Sequence, residues 1–249
     1  MSGISLVSVN VERGKHLDTV TSFLERTRPD VVCIQECRKC DIPRFRADSG
    51  AEGFFYEPMV AALKRPESET EGIAILSRYP MSDRRADYYV GTPHTLPDSD
   101  DVDEATFNDT NRLVLSCEIL KDGEVFRVAT THFTWSVRGQ ATDVQRTDMK
   151  GLLRILDGFP ELVLTGDFNA PRGGEMFSIL ADAYKDNIPP EYETSIDIAL
   201  HRAGKERPEE LKDKMVDGLF STKEYAVSDV RLESGVSDHC AVVAKVGRA

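Results

Sequence analysis

Glu161-Leu-Val-Leu-Thr-Gly166 runs directly into Asp167-Phe168-Asn169. A short apolar run that ends in a glycine, a carboxylate and a carboxamide reads as a buried strand whose end carries polar groups. Ser237-Asp238-His239 repeats the logic in reverse, opening the apolar run Cys240-Ala-Val-Val-Ala244. Both triplets put polar side chains at strand edges, which are rigid mounts for groups that must converge on one substrate atom.

Outward from these triplets, short β-branched runs recur at 4–9, 31–35, 54–60, 72–77, 113–119, 125–131, 162–165, 216–220, 225–232 and 240–246. Helical spacing takes over at 16–28, with Leu17, Val20 and Leu24, and at 143–157, with Met149, Leu152, Leu153 and Leu156. Phe177, Leu180 and Tyr184 suggest a further helix, closed by Pro189-Pro190. About ten strands with so few helices do not alternate as βαβ units, and the economical solution is two sheets face to face with helices outside. Irregular segments are expected at 64–71, 91–110 and 187–213, of which 98–109 is rich in aspartate and reads as a solvated acidic loop.

The 249 residues suffice for one large core, so a single domain over 1–249 is expected. A hydrophobic content of 40% with 30% charged residues describes a soluble globular chain, and no apolar run reaches the length of a membrane span. The first ten residues lack a basic segment followed by a long apolar one and read as the first core strand, which favours a cytoplasmic setting. The net charge of −12 excludes a protein that coats nucleic acid by counterion release. It suits a site that gathers carboxylates around a divalent cation. Cys37 and Cys40 have redox or half-zinc spacing, but no second such pair completes a zinc site, so the five cysteines read as reduced thiols.

The informative residues are the polar ones that end strands: Asn10, Gln35-Glu36, His132, Asp167, Asn169, Asp217, Asp238 and His239. They are oxygen and imidazole donors, a set suited to Mg²⁺ or Mn²⁺. In the order Asn10, Gln35-Glu36, Gly72-Ile-Ala-Ile-Leu-Ser-Arg78, Thr131-His132-Phe133, Gly166-Asp-Phe-Asn169, Asp217 and Ser237-Asp-His239, the chain resembles the endonuclease/exonuclease/phosphatase superfamily from residue 4 to about residue 244. The resemblance implies an α/β (α+β) fold, a four-layered α/β/β/α sandwich of two mixed sheets flanked by helices. It implies divalent-metal-dependent hydrolysis of a phosphoester.

The resemblance also implies roles. Glu36 would be the main metal ligand with Asn10 beside it, and Asp238 would add a metal or supporting contact. Asp167 would orient or deprotonate the attacking water, Asn169 would hold a non-bridging phosphate oxygen, and His239, oriented by Asp217, would meet the phosphate as a cation or act as an acid–base group. His132 matches the branch that resembles deoxyribonuclease I, sphingomyelinases and tyrosyl-DNA phosphodiesterase 2, with Glu71 as a candidate partner. Glu12 reads as a solvated neighbour, and His16, His94 and His201 as exposed and inert.

Substrate contacts are expected from Arg78, Trp135 and Arg138, with Trp135 either stacking on a base or packing under its own loop. Gln145-Arg146 adds a polar pair early in the long helix. The expected substrate is nucleic acid, DNA or RNA, engaged at ends or as single strands by a monomer. A small or lipid-linked phosphoester is the alternative, and an inactive binding module is opposed by the completeness of the motif set.

Overall fold

The computed structural model describes residues 3–62, 70–99 and 104–249. Strand β1 (Gly3–Asn10) turns Ile4 and Leu6 to one side and Val7 and Val9 to the other, so it is buried on both faces. That double burial places it inside a layered sandwich. It sits in a seven-stranded sheet ordered β12-β13-β1-β2-β4-β3-β6. Its members are β2 (Val31–Arg38), β3 (Gly53–Ala62), β4 (Glu71–Ser77), β6 (Asp98–Ser99), β12 (Tyr225–Glu233) and β13 (Ala241–Arg248). The second sheet has six strands ordered β10-β11-β9-β8-β7-β5. These are β5 (Met81–Val90), β7 (Arg112–Lys121), β8 (Glu124–His132), β9 (Val163–Asp167), β10 (Lys185–Asp186) and β11 (Asp217–Ser221).

Between the sheets lies the central core, where Ile4, Leu6, Cys33 and Ile75 of one sheet meet Leu115, Phe126, Val128 and Leu219 of the other. Helices α1 (Leu17–Thr27) and α2 (Ile42–Ser49) cover the outer face of the first sheet through Val20, Phe23, Leu24 and Phe45. Helices α3 (Asp143–Leu156) and α4 (Glu175–Ala183) cover the second through Met149, Leu152, Leu156, Phe177 and Leu180. The molecule is thus a four-layered α/β/β/α sandwich. Helix α1 ends at Arg28, which turns left-handed (φ 40°) and donates its N–H to Leu24 O at 2.8 Å, just before Pro29. Thr142 caps α3 by accepting the Gln145 N–H at 3.1 Å.

All ten anticipated runs are strands and the three anticipated helices form. Strand β5 was not legible because Ser82-Asp-Arg-Arg-Ala-Asp87 is polar, and two bulges break its pairing with β7, its only partner among the described residues. Helix α2 escaped because it buries only Ile42 and Phe45 as apolar anchors. Residues 64–69 of the first anticipated loop, and Asp100, Asp101 and Asp103 of the acidic one, lie outside the described residues.

Strand direction positions the site. Parallel pairing ends β1 and β2 together, Asn10 opposite Gln35, and ends β8 and β9 together, His132 opposite Asp167. Antiparallel β11 begins at Asp217 opposite Asp167, and antiparallel β13 begins just past the Ser8–Val242 pair. These ends therefore gather at one end of the sandwich. Alternation aims them inward, because Ile4 and Leu6, Val163, Leu219, and Phe126 and Val128 all face the central core. Two-residue steps from them reach Asn10, Asp167, Asp217 and His132.

Candidate active site

Asp167 is the hub of this end. It is only 2% exposed, and its Oδ1 accepts the Asn169 N–H at 2.8 Å. Its Oδ2 accepts from Asn10 Nδ2 at 3.1 Å and lies 3.6 Å from His132 Nε2 and 3.8 Å from His239 Nε2. The turn that makes this possible needs Gly166, whose φ is 143° and where a Cβ would stand 2.0 Å from Thr131 O. Asn169 then turns left-handed (φ 47°) and donates its Nδ2 to Phe133 O at 2.9 Å. The side-chain turn of Asp167 onto Asn169 and the display of Oδ2 to the site are two uses of one carboxylate.

Glu36 arrives by a different device. Val31 and Cys33 face the central core, yet Cys37 packs in the outer one, because a bulge lies between Ile34 and Cys37 and Glu36 is left-handed (φ 53°). A non-glycine residue there costs roughly 1–2 kcal/mol. The bulge presents Glu36 at the site, where Oε1 accepts from Asn10 Nδ2 at 3.0 Å and Oε2 lies 3.8 Å from Arg13 Nε. Gln35 beneath it is fully buried and crosses between the sheets, donating Nε2 to Thr130 Oγ1 at 2.9 Å.

Asn10 thus bridges two carboxylates with one amide. Its Oδ1 accepts the Glu12 N–H at 3.0 Å and keeps a second lone pair for a cation, while Nδ2 spaces Glu36 from Asp167. His239 donates Nδ1–H to Asp217 Oδ2 at 2.8 Å. Asp238 follows Ser237, whose hydroxyl donates to its Oδ1 at 3.1 Å.

The buried charges are set against one another. Burial alone would raise Glu36, but Arg13, His132, the Asn10 amide and His239 hold it down at about 2. Burial, reinforced by Asp217, pushes Asp167 up, with His239 and His132 opposing. Burial also raises Asp238 to about 6, with Glu12 and Glu36 adding to it against His239. His239 would be lowered by burial, but Asp217 and Asp167 carry it well above the ordinary imidazole value. His132 is lowered by burial and by Arg112. One imidazole is therefore held cationic and the other neutral, a division of roles set by environment.

The donor set fits a hard divalent cation. Glu36 Oε2 is a buried carboxylate oxygen without a hydrogen-bond partner, which suits it to a cation. Asp167, Asp217 and His239 bring ligand atoms within 4.8 Å of one another, and so do Glu12, His16 and Asp238. Glu12 is accordingly not solvated: it is 6% exposed, pairs with Lys15, and accepts from His16 Nε2 at 3.1 Å. His16 is partly buried in that contact, and His201 is half-buried in the wall of the cleft, where burial lowers its pKa to about 4. Of the three histidines read as exposed, only His94 is so.

A cavity of about 960 Å³ opens above these groups, lined by Glu36, His132, Asp167, Asn169, Asp238 and His239 among others. Trp135 and Arg138 lie on its rim. Trp135 packs edge-on against Phe107 with centroids 5.2 Å apart, and Asn108 bonds both its backbone N–H and its C=O, so its partners come from the separate segment 104–111 rather than from its own loop. Arg78 belongs to the opposite end of the sheet: it follows Ser77, which pairs with Val31, and bonds Arg28 O at 3.1 Å. Its place after a strand was a misleading signal, since β4 runs away from the site. The carboxylate facing His132 is Asp167 rather than Glu71, although Glu71 lines the same cavity.

Gln145 is fully buried and donates Nε2 to Thr134 O at 2.8 Å, while Arg146 turns outward to pair with Glu175 at 2.7 Å. Sequence reading missed Arg112, 3% exposed, whose guanidinium binds His132 O at 3.0 Å and Phe107 O at 3.2 Å. An arginine opening a strand resembles any surface cation, and only the fold shows that it is buried.

The Endonuclease/Exonuclease/phosphatase family profile matches residues 7–239. The chain belongs to this family. Its members hydrolyse phosphoester bonds, generally with divalent metals. No curated protein matches the sequence. The fold is similar to an endonuclease/exonuclease/phosphatase from Beutenbergia cavernae, at 17% identity over 100% of this chain and 72% of that one, with a TM-score of 0.72. It is also similar to humanized D. rerio TDP2, at 14% identity over 99% and 100% of the two chains with a TM-score of 0.65. A third similar structure is a mannosyl-6-phosphatase of Bacteroides thetaiotaomicron, at 13% identity over 98% and 99% with a TM-score of 0.67. No helix among the described residues is long and apolar enough to cross a membrane.

Proposed function

We propose that this family member is a Mg²⁺- or Mn²⁺-dependent phosphodiesterase acting on nucleic-acid ends or single strands. The observation that carries the chemistry is Asp167 Oδ2, a buried carboxylate oxygen facing two imidazoles of opposite protonation habit and the Asn10 amide. Glu36 and Asp238 would hold the cation, with Glu12 and His16 beside Asp238. When bound, the cation would neutralise charge developing on the phosphate oxygens. Asp167, raised by burial, is suited to orient an attacking water and take its proton. His239, locked by Asp217, keeps Nε2–H as a charged donor toward a phosphate oxygen. Asn169 holds one Nδ2 hydrogen on Phe133 O and has the other for the phosphate.

Nucleic acid is favoured by the rim, where Trp135 stands beside Arg138 on the cavity wall, a pairing suited to a base and its phosphate. The likeness in fold to a structure named TDP2 is consistent with this reading. A small sugar phosphate is the second reading, favoured by the acidic rim residues Glu104, Glu209 and Asp213 and by the likeness to a mannosyl-6-phosphatase. The test is hydrolysis of a labelled single-stranded oligonucleotide with Mg²⁺ by wild type and Asp167→Asn, with and without EDTA. Cleavage lost in the variant and in chelator supports the first reading. Activity confined to sugar phosphates replaces it with the second, and cleavage that survives EDTA overturns the metal.

A further inference from the structure

Two segments that rise from opposite flanks of the active site touch each other across it. The first, residues 104–111, leads into β7 on the flank formed by β3 and β7. It is fixed by Asn111 N–H to Met59 O at 2.9 Å, by the Arg112 guanidinium on Phe107 O, and by the two Asn108–Trp135 bonds. The second, residues 195–214, stands on the flank formed by β11 and β13. There Asp197 N–H bonds Asp238 O at 2.8 Å, Cys240 N–H bonds Ser195 O at 2.7 Å, and Ser195 Oγ accepts both Val216 and Asp217 N–H at 3.0 Å.

Catalytic strand ends β1, β2, β8 and β9 lie between these flanks in their sheets. Yet Arg202 of the second segment places its Cζ 5.4 Å from the ring centroid of Phe107 in the first, and both residues line the cavity. A contact joining the two flanks has to cross the cleft. A second tie closes the side wall, where Lys214 Nζ donates to Arg138 O at 3.1 Å and Arg138 lies 3.8 Å from Glu210.

We propose that the Arg202–Phe107 contact is the keystone of an arch that turns the cleft into a passage, so that a nucleic-acid strand reaches Asp167 only by threading a free end. The inference rests on the nucleic-acid reading above. The second foot is hydrogen-bonded to Val216, Asp217, Asp238 and Cys240, and the first to Met59 of β3 and, through Arg112, to the His132 carbonyl, which makes the arch a fixed span. Exposed carboxylates of Glu104, Glu209 and Asp213 line the cavity at the arch, and Asp109 is exposed in its first foot, a negative charge that repels a duplex laid against it. Arg138, exposed on the same cavity wall, supplies a cation to a strand passing beneath.

A covalently closed single-stranded DNA circle is the decisive probe, compared with the same sequence in linear form at equal Mg²⁺. Wild type is expected to cut the linear strand and spare the circle. Arg202→Ala is expected to raise the circle-to-linear rate ratio about tenfold or more, while Arg202→Lys, which keeps a cation over the ring, stays end-dependent. Hydrolysis of bis(p-nitrophenyl) phosphate, too small to need threading, reports that each variant is folded and competent. Equal cutting of circle and linear strand by wild type overturns the arch, as does an Arg202→Ala enzyme that remains end-dependent. If wild type hydrolyses the small diester but no nucleic acid of either form, the nucleic-acid reading itself is wrong and the arch falls with it.

Discussion

Strand ends supply the floor of the cleft and two long segments supply its rim, and different forces hold the two regions. On the floor, Asn10, Glu36, Asp167, Asp217 and His239 are bonded chiefly to one another, within 2.8–3.1 Å where they hydrogen-bond. On the rim, Trp135, Phe107 and Arg202 meet through ring contacts and are hung from backbone bonds. Moving one floor group disturbs every charge beside it, whereas the rim can change composition and keep its course. Chemistry therefore belongs to the floor and substrate choice to the rim, and mutations should divide the same way.

The sharpest break should come at Asp167. Asp167→Asn keeps the shape and the turn onto Asn169 but removes the proton acceptor, so kcat should fall about a thousandfold with KM little changed. Steady-state kinetics on any accepted substrate reads this, and a loss confined to KM would move Asp167 out of the chemistry. Glu36→Gln should weaken Mg²⁺ binding about a hundredfold by calorimetry, because a charged oxygen in its buried niche is replaced by a neutral one. Wild-type binding should also release protons near pH 5.5, where Asp238, raised to about 6, is still mostly protonated before the cation displaces its proton. Titrations in two buffers of different ionisation enthalpy count those protons. Release that persists at pH 8 would assign it to another group.

These floor residues were legible because strands advertise themselves. An apolar run of period two that stops at a carboxylate states where the core ends and which way the next side chain points, and for β1, β8, β9 and β11 that parity places the site. What was not legible depends on departures from parity. The Glu36 bulge flips the phase of β2 without any glycine or proline to announce it. Glu12 and His16 meet Asp238 because Glu12 and Arg13 are both left-handed in the turn after β1, which the residue types do not demand. Arg78 misled because strand direction, unlike strand identity, is set by pairing with distant segments. The rim was opaque for a further reason: residues 187–213 have no period, and their course follows from bonds to Asp238, Cys240 and Asp217 far along the chain.

Asp217→Asn should have an intermediate effect with a distinctive pH signature. Burial disfavours the His239 cation, and Asp217 is the largest influence restoring it, so the wild-type imidazole stays protonated through neutral pH. Removing the Asp217 charge lowers that pKa, and the alkaline limb of the kcat/KM profile should move about 1–2 units toward acid. The activity loss should then be small near pH 6 and reach tens of fold near pH 8. An unchanged profile would mean that His239 acts in its neutral form.

Trp135→Ala should have the smallest effect and draws the line between the regions. The indole touches Phe107 rather than any floor group, and Asn108 holds its backbone independently of the ring. Losing it should remove a stacking surface worth about 1–3 kcal/mol per base and raise KM for an oligonucleotide roughly fivefold or more. For bis(p-nitrophenyl) phosphate, too short to bridge floor and rim, kcat should stay within about twofold. If Trp135→Ala instead lowers kcat on the small diester as far as Asp217→Asn does, the rim is holding the floor in place through Asn108, Arg112 and the His132 carbonyl. The two regions would then be one machine, joined at the arginine that sequence reading passed over.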